Sequence, residues 1–143
     1  MPSNETFLQL SKDGIAVYGL SPKRRTFAVG IKDNLEQSDY RVFPIHPKAD
    51  SGFYPNLKAM PGKVKSAYIA INPNNALSII NDLSEYGIKR AWFQYGAYND
   101  EVLKKCNDSG IETYSGCLMM YIPSAGFIHK FHRFLYELFG GKK

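Results

Sequence analysis

Short apolar runs alternate with amphipathic stretches along this chain, and that alternation is what most restricts its fold. Gly14 to Leu20 (GIAVYGL) has the make-up of a buried strand. Phe27, Ile31 and Leu35 then fall at helical spacing, predicting a helix over 26–39 despite Gly30. Tyr40 to Ile45 (YRVFPI) predicts a second strand, closed by Pro47, and Ala67 to Ile71 (AYIAI) a third, stopped by Asn72-Pro73. Leu77, Ile80 and Leu83 share one face of a helix starting at Asn74 or Asn75 and ending at Gly87. A fourth strand lies within 88–94. Asn99 can cap a helix carrying Val102, Leu103 and Cys106, and a fifth strand succeeds it at 111–114. Between the second and third strands, His46 to Gly62 is rich in proline and glycine and reads as a long connection with room for one helical turn.

Strands separated by helices, with short connections, pair in parallel. Crossovers of one hand then wind helices onto both faces. The expected fold is α/β: a Rossmann-like doubly wound parallel sheet of about five strands in a three-layer αβα arrangement, plus a C-terminal helix over 127–139. The 143 residues suit one domain, 1–143. The chain carries 18 basic against 13 acidic residues, a formal charge of +5, which favours an anionic ligand. Nothing resembles a signal peptide, and no apolar run reaches the roughly 20 residues that span a bilayer. Cys106 and Cys117 lack the spacing of a metal site or disulfide scaffold. The expectation is a soluble, cytoplasmic protein with reduced thiols.

In a doubly wound sheet, ligands bind beyond the carboxyl ends of the strands, where strand order reverses. The loops after the strands are therefore the candidate site. The first reads GLSPKRRTFA: Gly19 permits close backbone approach, Ser21 and Thr26 offer hydroxyls, Lys23, Arg24 and Arg25 add charge, and Thr26 can cap a helix that opens toward an anion. Phosphate binding accounts for all of these; a capped turn with solvated basic residues accounts for each one separately. The loop lacks the G-x-G-x-x-G dinucleotide fingerprint. After the second strand stand His46, Pro47 and Lys48, where a domain for NAD would place an acid for the ribose. Lys48 would instead accept a further phosphate, which favours coenzyme A over NAD and leaves NADP as the alternative. From this residue alone, a solvated loop lysine is the better reading.

Taken in order, IAVYGLSPKRRTF (15–27), YRVFPIHPK (40–48), NP (72–73), GIKRAWFQYGAYND (87–100) and GIETYSGCLMM (110–120) resemble the small coenzyme A-binding domain family related to the cofactor-binding domain of succinyl-CoA synthetase α subunits. The resemblance implies a coenzyme A nucleotide across these loops. Gly19, Ser21, Lys23, Arg25, Thr26 and Phe27 would belong to the phosphate end. His46, Pro47 and Lys48 would flank the adenosine, and Asn72 and Pro73 would form the next wall. Gln94 and Gly96 would border the pantetheine arm, with Cys117 completing the set. The chain departs from the family in having His46 where asparagine is usual, and it has no room for a ligase domain, so ligase activity is not implied.

Three further features invite chemistry. Cys117 comes after the fifth strand and could meet a cofactor thiol, or be a structural cysteine. His129 and His132 share a helix face without the further ligands that a structural zinc needs. The terminal helix carries Ile128, Phe131, Leu135 and Leu138 as an apolar stripe that suits the sheet, a homodimer or a partner protein. Membrane attachment is a lesser reading, and no nucleic-acid motif appears. The expected function is non-catalytic binding of coenzyme A or acyl-CoA. The alternatives are an NADP-binding or thiol-dependent enzyme and an interaction domain with a degenerate pocket.

Overall fold

A computed structural model describes residues 4–20, 27–47 and 52–122 of the chain. The elements run α1 (Asn4–Gln9), β1 (Ile15–Tyr18), α2 (Phe27–Gln37), β2 (Val42–Ile45), β3 (Ser66–Ile69), α3 (Pro73–Tyr86), β4 (Arg90–Phe93), α4 (Asp100–Asp108) and β5 (Glu112–Ser115). Short 3-10 turns occupy Leu57–Ala59 and Leu118–Tyr121. All five strands are parallel, in the order β2-β1-β3-β4-β5. This is a Rossmann-like α/β fold, as the alternation of strands and helices predicts. The terminal helix expected over 127–139, with His129 and His132, lies outside the described residues.

Side-chain alternation along each strand divides the core into two unlike halves. On one face Ala16, Ala67 and Ala91 stand side by side across the three central strands. These small residues leave space for Ile80 and Leu83 of α3 and Val102 and Cys106 of α4. On the other face Tyr68, Trp92 and Tyr114 are in register, with Trp92 and Tyr114 stacked at 6.0 Å. Phe7 of α1 sets its ring edge-to-face on Trp92 and Tyr114, at 5.3 and 5.2 Å. Ile31 and Leu35 of α2 complete that half.

Several boundaries differ from the sequence expectation by a residue or two, each for a local reason. Pro44 lies inside β2, where it is tolerated because β2 is an edge strand. α3 begins at Pro73, earlier than Asn74 or Asn75, because Asn72 is its cap and proline suits the first helical position. The third strand ends at Ile69, short of Ile71, since Ala70 already leads into that cap. Nothing in the sequence pattern predicts α1.

Candidate functional site

β1 sends its chain to α2 on the aromatic face, and β3 sends its chain to α3 on the alanine face. The two connections part at the carboxyl ends of β1 and β3, and a cavity of about 850 Å³ opens there. Such a volume is ample for a cofactor-sized ligand. The loop after β1 contributes Gly19 and Leu20, and α2 contributes Ala28 from its first turn. The end of β2 supplies Ile45, His46 and Pro47. The connection beyond supplies Pro55, Asn56 and Leu57. Ala70, Ile71 and Asn72 come from the end of β3, with Asn75, Ser78 and Ile79 from α3 and Gln94 from the end of β4.

Each wall has a local reason for its shape. Gly19 adopts φ +113°, and a Cβ there would come within 2.7 Å of the Ala70 Cβ. The glycine is thus required by the approach of β1 to the end of β3, where the Ala70 amide donates to the Tyr18 carbonyl at 3.0 Å. His46 is held at the edge of the sheet: its amide donates to the Tyr54 carbonyl at 2.9 Å, and the Tyr54 amide donates to the Pro44 carbonyl at 2.9 Å. Its ring meets Phe53 edge-on at 6.2 Å. The Asn56 side chain caps the turn at 57–59 by accepting from the Ala59 amide at 3.1 Å. The sequence pattern marks Pro55, Asn56 and Leu57 only as part of a connection and does not announce them as a wall.

Two helix N-termini border the cavity. At α3 the Asn72 side chain accepts from the Asn75 amide at 2.8 Å, and Pro73 has no amide hydrogen to offer. Part of the anion-binding capacity of this terminus is therefore already spent. α2 presents Ala28 to the cavity, and neither helix has an acidic residue in its first turn to oppose a negative group. Ser21, Lys23, Arg25 and Thr26, and likewise Lys48, lie outside the described residues.

Gln94 is oriented from behind. The Tyr68 hydroxyl donates to its Oε1 at 2.9 Å. That leaves the Nε2 hydrogens without a protein acceptor among the described residues. Burial, reinforced by Cys117, holds the Tyr68 phenol well above its ordinary pKa, so it remains a donor. Pro73, Gly96 and Cys117 are not on the cavity wall. Pro73 is the first residue of α3, Gly96 turns the chain after β4 at φ +87°, and Cys117 is half-buried against the aromatic half of the core. Cys106 is fully buried, and burial pushes its thiol up to about 11, as expected for an inert structural cysteine. Among the described residues no group of histidine, cysteine and acidic side chains could hold a metal ion, and no helix is long and apolar enough to cross a membrane.

A family described as a CoA binding domain matches residues 13–123. None of the curated proteins compared matches the chain. Among solved structures, a hypothetical protein from Pyrococcus horikoshii OT3 superposes with a TM-score of 0.74 at 27% identity, over 84% of this chain and 89% of that one. A conserved hypothetical protein from Pyrococcus furiosus gives 0.66 at 26% identity, over 75% and 96% of the two chains. A dinucleotide forming acetyl-coenzyme A synthetase from Ca. Korarchaeum cryptofilum, solved with phosphate and ADP, gives 0.64 at 26% identity. This chain, 78% of it aligned, matches only 27% of that enzyme.

Proposed function

The chain belongs to the CoA binding domain family, and from that premise we propose that it holds coenzyme A, free or acylated, by its nucleotide phosphates and performs no chemistry alone. The observation that carries this reading is the position of the cavity. It lies at the reversal of strand order and takes the first turn of α2 into its wall. The phosphates are assigned to that turn, which Lys23-Arg24-Arg25 precedes in the sequence. The adenosine belongs beside His46, Pro47 and Lys48, and the pantetheine arm runs past the Gln94 amide, whose hydrogens suit its carbonyl oxygens.

Cys117 is not among the described residues that line the cavity, which weighs against the thiol version of the enzyme alternative, whereas His46, its other candidate, is among them. The degenerate-pocket alternative, which rests on His46, has to account for a cavity that remains open. Residence in the cytoplasm fits two free cysteines.

Titration calorimetry with coenzyme A, ADP and NADP tests the proposal. Coenzyme A is expected to bind most tightly and ADP more weakly. Binding of NADP without coenzyme A would overturn the choice of cofactor, and silence with all three would leave the interaction domain.

A further inference from the structure

Buried tyrosines almost always find a partner for the hydroxyl, because a phenol taken out of water without one costs free energy. Three of the buried tyrosines in this chain obey. Tyr40 donates to the Leu8 carbonyl at 3.3 Å, Tyr68 to Gln94 at 2.9 Å and Tyr114 to Glu112 at 3.2 Å. Tyr18 is as deeply placed, at 8% exposure, yet its hydroxyl has no hydrogen-bond partner among the described residues. It is also not one of the described polar atoms sealed from solvent without a partner, which are Asn34 Oδ1 and Arg90 Nε. Tyr18 is the last residue of β1 and part of the cavity wall. From the residue's position, the access left to the hydroxyl is toward that cavity.

The surroundings define what it could meet. Ile45, Leu57, Ile71 and Ile79 line the cavity and pack in the same half of the core as Tyr18, together with the polar lining residues Asn56, Asn75 and Ser78. Asp82 of α3 acts on the phenol electrostatically, and it lines a smaller cavity that shares Leu57 with the main one. Burial keeps the phenol protonated, and the negative charge of Asp82 adds to that effect while disfavouring a phosphate here. A neutral, flat group with acceptor atoms on its edge satisfies both the apolar side chains and the phenol donor.

We propose that Tyr18 is a specificity-determining residue whose hydroxyl donates a hydrogen bond to a ring nitrogen of the ligand's purine base, seated between Leu57 and α3. The inference rests on the coenzyme A reading, since it assigns the adenosine end of that cofactor to this part of the cavity.

Tyr18→Phe removes the donor and keeps the ring. Because no protein partner is lost, the variant is expected to fold and to melt close to the wild type. Its affinity for coenzyme A should fall about tenfold, the size of one hydrogen bond. Adenosine 3′,5′-bisphosphate, which carries the base without the pantetheine arm, should lose the same factor. Equal coenzyme A affinity in variant and wild type would overturn the role of Tyr18 while leaving the cofactor reading intact. A loss seen with coenzyme A but not with the bisphosphate would place the hydroxyl on the pantetheine arm and overturn the base assignment. If wild-type protein bound no coenzyme A, the cofactor reading itself would fail, and the variant would not be needed to show it.

Discussion

Gly19, just beyond β1, lines the cavity and at the same time packs against the end of β3. Its lack of a side chain answers to Ala70, because positive φ and the nearness of that residue each exclude a Cβ. Gly19→Ala should therefore destabilise the apo protein by about 2–5 kcal/mol, combining backbone strain with overpacking. Chemical denaturation without ligand measures this, and a change under about 0.5 kcal/mol would refute the packing account. The positions of His46, Pro47, Asn72 and Gln94 beside Gly19 are legible in the sequence because ligand sites in this fold gather at the carboxyl ends of the strands. Tyr18 is not legible in that way. By sequence it is simply the end of an apolar run, and only the pairing of the other buried tyrosines exposes its hydroxyl.

At the scale of elements, the legible features are those encoded locally. Asn99 is predicted to cap α4 and does so, accepting from the Val102 amide at 2.9 Å. Asn72, predicted as a wall of the site, also caps α3. The two asparagines do the same structural task, but only Asn72 borders the cavity, so they separate capping from binding. Asn99→Ala and Asn72→Ala should each lower stability by about 1 kcal/mol. Only Asn72→Ala should also weaken coenzyme A binding, by several-fold, measured by calorimetry on both variants. Equal loss of affinity in the two would mean that binding tracks global stability and not the wall. The elements that the sequence hides are held by distant partners. α1 spans only six residues and is fixed by Phe7 on Trp92 and Tyr114, far along the chain. The stretch around Tyr54 depends on its bridge to Ile45. No local periodicity announces either contact.

The whole molecule couples these scales through the asymmetry of its sheet. Aromatic residues fill one face, while the row of alanines on the other admits α3 and α4. The two helices that succeed β1 and β3 consequently leave the sheet on opposite sides, and the cavity is the gap between their starts. A ligand in that gap touches β1, β2, α2 and α3 together with the ends of β3 and β4, so it ties together both halves of the core. Binding should then register as stability of the entire fold and not of one loop. At a free concentration of coenzyme A near 100 times its dissociation constant, linkage gives about 2.7 kcal/mol, or roughly 10 °C in the midpoint for a chain of this size. If the phosphates are held electrostatically, as proposed, raising sodium chloride from about 0.05 to 0.5 M at fixed ligand should shrink that shift. The unliganded midpoint should respond far less, because the two salt bridges among the described residues, Lys32 to Glu36 and Lys104 to Asp108, are surface pairs of small worth. A ligand-induced shift that ignored salt would mean that the cofactor is held by its base and pantetheine arm, with the basic residues that precede α2 in the sequence contributing little.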